Sequence, residues 1–196
     1  MACRERVVEI IKAPGISSGS YKAALVLLPI NLFLFLLSFS SNHWLTSSAI
    51  YNTYGMNYTS RHQGLWRYCQ ETSGVQCCGY INDVISLHHH SVPPYLNATR
   101  SFMVIGLFTQ IFCLVSVLAS VIQLVLLIFS LVYMLFISAF SLFLSMTIYG
   151  GAYSDSDWTS QYSLSWSFSF CVISGFAYLI TAVIFVCDRC NNDADD

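Results

Sequence analysis

Three cysteines, Cys69, Cys77 and Cys78, fall in a ten-residue window of a stretch that also holds all five histidines and the two N-x-S/T sequons, Asn57-Tyr-Thr and Asn97-Ala-Thr. In an oxidising compartment such cysteines form at least one disulfide and leave one thiol over. The run His88-His89-His90 offers imidazoles that could bind a divalent metal or titrate near neutrality, but followed by Pro93-Pro94 it reads first as a solvated loop. Cys187-Asp-Arg-Cys190 has C-x-x-C spacing without a second pair or a βαβ pattern, so its place beside an apolar segment favours S-palmitoylation over redox or zinc chemistry, with Cys3 a further acceptor. Asp155-Ser-Asp157 supplies two carboxylates, too few to define a calcium loop. No nucleophile–base pair, metal-ligand set or cofactor motif is identified, so no catalytic residue, metal or cofactor is expected.

The elements that must carry these residues are dictated by where charge is missing. Of 196 residues, 56% are hydrophobic and only 9% charged, against roughly 25% charged in a soluble domain. A net charge of −2 without a dense basic block excludes nucleic acid as a partner. Asp, Glu, Lys and Arg are missing from Ala23 to Ser60, between Arg100 and Asp155, and from Leu164 to Cys187. Residues 23–41 hold twelve Leu, Ile, Val or Phe, which together favour insertion by roughly 4 to 7 kcal/mol. That run exceeds a signal-peptide core, and Pro29 and Asn31 within it predict a kink rather than exclusion from the bilayer. The charge-free run from Phe102 to Tyr149, as one helix, would be about twice the bilayer thickness, so it must fold back. The turn is placed near Ser120 to Leu124, around Gln123.

The expected order is a cytoplasmic tail (1–22), a span (23–41), a long outer loop (42–100), spans at 102–121 and 125–148, a second outer loop (149–165), a span at 166–187 and a cytoplasmic tail (188–196). Four basic residues before the first span put both termini in the cytoplasm, and the sequons put the first loop outside. Asn57 is the better acceptor, because Asn97 lies close to the membrane. Val7, Val8 and Ile11 can share one face of a short helix closed by Pro14-Gly15 and lying on the inner leaflet.

None of the spans carries Asp, Glu, Lys, Arg or His, which argues against ion-coupled transport or an intramembrane catalytic site. Gly106, Thr109, Cys113, Ser116 and Ser120 recur every three or four residues, as do Ser138, Ser141 and Ser145. Such stripes let helices pack closely, with Gln110 expected to add an interhelical hydrogen bond.

Trp44 just outside the first span, then Gly64-Leu65-Trp66 within His62-Gln-Gly-Leu-Trp-Arg-Tyr-Cys69, then a second cysteine, resembles the signature of the claudin superfamily, which includes the peripheral myelin, epithelial membrane and lens fibre membrane proteins. The runs HQGLWRYC and YLNATRSFM are most similar to the epithelial membrane and lens fibre branch. The resemblance implies an all-α membrane protein: a left-handed four-transmembrane helix bundle with a small extracellular antiparallel β-sheet built mostly from the first loop. It also implies a disulfide from Cys69 to the second motif cysteine. Cys78 leaves eight intervening residues and Cys77 seven, so spacing leans towards Cys78 with Cys77 the alternative. Trp44 is read equally as an interfacial belt residue or a packed motif residue, and Trp66 as packed under the sheet. Arg100 matches the arginine with which members enter the second span.

The C-terminal Asp-Ala-Asp-Asp lacks the hydrophobic end a PDZ groove accepts, which argues against a PDZ scaffold as partner. The expected function is that of a non-enzymatic, tetraspanning plasma-membrane protein at cell contacts, mediating cell–cell adhesion or lateral membrane organisation through its outer sheet. Its partners would be the lipid bilayer and further copies of itself in cis or trans. The alternative is an auxiliary subunit that regulates trafficking or gating of a channel or receptor in cis. A paracellular pore ranks below both, since the first loop carries three basic and two acidic residues and little charge bias.

Overall fold

The computed structural model describes residues 19–51, 58–72, 74–87, 91–120, 125–155 and 161–192. The candidate inner-leaflet helix around Val7, Cys3, Asn57, His88 to His90, Gln123 and Asp157 lie outside the described residues, as does the side chain of Cys190.

Four long helices account for the charge-free runs: α1 (Gly19–Ser40), α3 (Pro94–Ser120), α4 (Val125–Ala152) and α5 (Trp166–Asn192). Each contains a stretch long and apolar enough to cross a bilayer, and together they form a four-helix, membrane-spanning bundle. Val26, Phe33, Phe108, Val115, Phe140 and Phe176 are exposed on them. Apolar side chains on a bundle surface are what lipid contact requires. The helices outrun the charge-free windows. α1 continues through Pro29, and α3 begins at Pro94, so Asn97 and Arg100 are helical rather than part of a loop. Proline suits the first helical turn, where its missing N–H would have no intrahelical partner.

The remaining elements are a short helix, α2 (Ile81–Leu87), and five strands: β1 (Leu45–Tyr51), β2 (Tyr58–Gln63), β3 (Arg67–Thr72), β4 (Val75–Tyr80) and β5 (Tyr162–Leu164). They form one antiparallel sheet in the order β4-β3-β2-β1-β5. Four strands come from the first loop, and β5 adds an edge from the segment between α4 and α5. Thr72 pairs with Val75, so β3 and β4 are joined by a two-residue turn. Gly74 sits there at φ +82°, a left-handed conformation open to glycine at little cost.

The chain divides into two compact units. One comprises the described parts of Met1–Phe33, Ile105–Ser141 and Ser174–Asp196. Its core is lined by Ala24, Leu28, Cys113, Val117, Leu135, Tyr178 and Ala182, and Gly106, Ser116, Ser138 and Ser141 are buried with them. These members of the small-residue stripes therefore face the interior, while Thr109 is half-buried. Tyr21 Oη donates to the Val117 carbonyl at 2.7 Å, and Ser174 Oγ to the Asn31 carbonyl at 3.3 Å. Gln110 is fully buried, yet neither of its amide atoms has a hydrogen-bond partner, so it does not supply the expected interhelical bond. The other unit, Leu34–Val104 with Leu142–Ile173, holds the whole sheet and the helix ends next to it.

Candidate functional site: a sheet anchored to the helix ends

The last carbonyls of a helix have no intrahelical donor. At the end of α1 two of them are met by tryptophans. Trp44 Nε1 donates to the Ser38 carbonyl at 2.7 Å, and Trp66 Nε1 donates to the Phe39 carbonyl at 2.9 Å. Ser167 Oγ from α5 gives the Ser38 carbonyl a second donor at 3.1 Å. Trp44 is 0% exposed, packed edge-on against Tyr149 and Phe168. Trp66 packs against Phe39 on one side. The Arg100 guanidinium lies 5.3 Å from the centre of the Trp66 ring, within the range of cation–π attraction.

Arg100 ties three segments together. Its Nε donates to the Leu65 carbonyl at 2.7 Å, and one terminal nitrogen reaches Asn82 Oδ1 at 3.1 Å and Asn97 Oδ1 at 3.3 Å. A planar cation with several fixed donors can do this, whereas a lysine could not bridge the same set. Leu65 is fully buried, and the Trp66 carbonyl accepts from the N–H of Ile81, which opens α2. Gly64 lies where the loop passes back over the end of α1. A Cβ added there would overlap the Ser41 carbonyl oxygen and come within 2.8 Å of Asn42 Cα, so only glycine fits.

Cys69 and Cys78 stand directly opposite in the β3–β4 ladder and are joined by a disulfide, with Cα atoms 4.1 Å apart. Successive side chains alternate faces, so Cys77, paired with Gln70, points to the other side and remains a free, exposed thiol. On that face Tyr68, Gln70, Thr72, Val75, Cys77 and Val84 border a hollow of about 370 Å³. Tyr162 of β5 hydrogen-bonds Tyr68, and burial pushes its phenol up, aided by that bond. Along β4, Val75 is 65% and Tyr80 59% exposed. Arg67 lies over the Tyr80 ring at 5.4 Å.

Two features escaped sequence reasoning because they depend on register. His43 and His62 stack with ring centres 4.2 Å apart, and Asn82 completes the Arg100 cluster. Nothing in a spacing of nineteen residues signals the first, and Asn82 is an unremarked polar residue of α2 until the fold places it. Among the other candidates, Asn97 is exposed on the first turns of α3, Cys187 is exposed near the end of α5, and Asp155 lies in an exposed turn. Among the described residues there is no group of three or more His, Cys, Asp or Glu able to hold a metal ion.

A four-span bundle carrying a disulfide-stapled sheet defines the class to which the motif pointed. The model of the PMP-22/EMP/MP20/Claudin family matches residues 22–186, and the chain belongs to that family. A comparison with curated proteins finds none that matches it.

Proposed function

We propose that this non-enzymatic, tetraspanning membrane protein mediates adhesion or lateral assembly at the plasma membrane through its sheet, with the sheet outside the cell and both termini cytoplasmic. The supporting observation is a platform fixed to the helix ends at one side and open at the other. Trp44, Gly64, Leu65, Trp66, Arg100 and the Cys69–Cys78 bridge hold it, while edge strand β4 presents Val75 and Tyr80 to solvent. An edge with unpaired backbone groups and exposed apolar side chains is suited to binding another chain. In this reading Asn57 is the preferred glycan acceptor, with Asn97 second, and Cys187, Cys190 and Cys3 are acylation sites on the inner leaflet. Similarity of HQGLWRYC to the epithelial membrane and lens fibre proteins supports the same assignment.

The test is to express a tagged copy in poorly adhesive cells and mix them with differently labelled cells that do or do not express it. Enrichment only where both cells express the protein, lost in Cys69→Ser despite normal surface delivery, is expected. Even surface distribution without aggregation contradicts trans adhesion and favours the auxiliary-subunit reading, which crosslinking in cis then tests.

A further inference from the structure

We propose that the stacked imidazoles of His43 and His62 form an acid-sensitive latch between the end of α1 and edge strand β4, and that protonation of His62 releases the outer half of β4.

The rings lie nearly parallel, 11° apart, with centres at 4.2 Å. His43 also stacks on Trp166 at the start of α5, with centres 5.6 Å apart. His62 is 8% exposed. Its Nε2 lies 3.0 Å from Gln76 Nε2 on β4. An amide NH₂ only donates, so His62 Nε2 accepts, and in this arrangement its ring is neutral with the proton on Nδ1. A proton on Nε2 sets donor against donor. Turning the Gln76 amide over restores one bond, so the release is driven by the need of the buried imidazolium for water and not by this contact alone.

The surroundings give an imidazolium little in return. Along β2, Arg61 and Gln63 point to the opposite face of the sheet. Across the ladder His62 faces Thr46 of β1, which carries no charge, and Cys69 of β3, which is bonded to Cys78 and does not titrate. Arg67, on the same face of β3, is a further positive charge, held over Tyr80. Trp166 is neutral, and His43 is itself a base. Among the described residues Glu71 of β3 is the negative group acting on His62, and its carboxylate already accepts from Ser60 Oγ at 3.3 Å. Burial first and His43 second hold the His62 pKa below its ordinary 6.5, with Glu71 opposing them.

Because the folded pKa is depressed, the unfolded or opened chain binds more protons in acid. The latch is complete above the ordinary histidine value and is lost as pH falls through the folded one. What opens is limited by the covalent frame. The Cys69–Cys78 bridge keeps β4 on β3 at residue 78, so the part free to leave is the hairpin end around Val75 and Gln76. The latch acts on the same edge strand that the proposed function gives to partner binding, but it does not rest on that reading, and its test needs no partner.

The full chain, in detergent micelles, is compared at about pH 7.5 and pH 5 by amide hydrogen exchange, corrected for intrinsic rates. Protection of Val75 and Cys77, whose N–H groups face β3, is expected to fall in acid, while α3 and α4 stay protected. In His62→Gln, neutral at every pH, that protection becomes independent of pH. In His43→Phe, which keeps a ring on the stack but removes the imidazole that lowers the His62 pKa, the midpoint moves to higher pH. Equal protection at both pH values in the unmodified chain, or an unchanged fall in His62→Gln, overturns the latch. If His62→Gln does not fold, His43→Phe decides: an unmoved midpoint overturns the proposal.

Discussion

The indole nitrogens of Trp44 and Trp66 end the first helix as much as they begin the sheet, since each occupies a carbonyl that the helix leaves unpaired. Replacing Trp66 with Phe keeps a ring against Phe39 but strands the Phe39 carbonyl. Thermal unfolding in detergent should show a loss of about 1–2 kcal/mol, the penalty for an unmade hydrogen bond. Gly64→Ala is expected to cost more, about 2–3 kcal/mol, because the added carbon meets backbone that cannot rotate away. Expression of a fully folded, equally stable Gly64→Ala protein would contradict the close approach described here. At this scale the motif residues were legible in the sequence as a set of types and spacings. What each one touches was not, since Arg100, Leu65 and Asn82 meet only after three elements have converged. For Trp44 the sequence left two roles open, and its burial against Tyr149 and Phe168 favours the packed one.

At the scale of elements, the β3–β4 hairpin is the part whose stability depends most on covalent chemistry. Strand β4 is an edge with largely exposed side chains, so few packing contacts hold it. Removing the bridge by Cys69→Ser should destabilise the fold by about 2–4 kcal/mol and expose β4 first. Limited proteolysis, with cleavage appearing in the 70–80 segment before any in the helices, reads this out. Cleavage beginning elsewhere would argue that the bridge is incidental. Gly74→Ala should add about 1 kcal/mol of strain at the turn, from the positive φ alone. The sequence marked helices more clearly than strands, for a physical reason. A bilayer demands some twenty apolar residues in a row, whereas these strands mix Ser, Thr, Gln, Arg and His with apolar residues, and β5 pairs with β1 across more than a hundred residues. Charge-free windows also understate helices: α3 begins six residues before Arg100 because the guanidinium finds carbonyl oxygens instead of lipid.

Across the whole molecule, charge is sorted by environment. The membrane-spanning runs carry hydroxyls, thiols and amides but almost no ionisable carboxylate or base, which fits a scaffold more readily than a transport path. The chemistry that remains is gathered in the sheet, and the proposed function requires that sheet to face outward with Cys69 bonded to Cys78 and Cys77 left free. A membrane-impermeant maleimide applied to intact cells, followed by reduction, a second label and peptide mass spectrometry, measures both points at once. The first label is expected on Cys77 alone in this segment, and the second on Cys69 and Cys78. First label on Cys78, or no reaction in the segment until the cells are permeabilised, would contradict it.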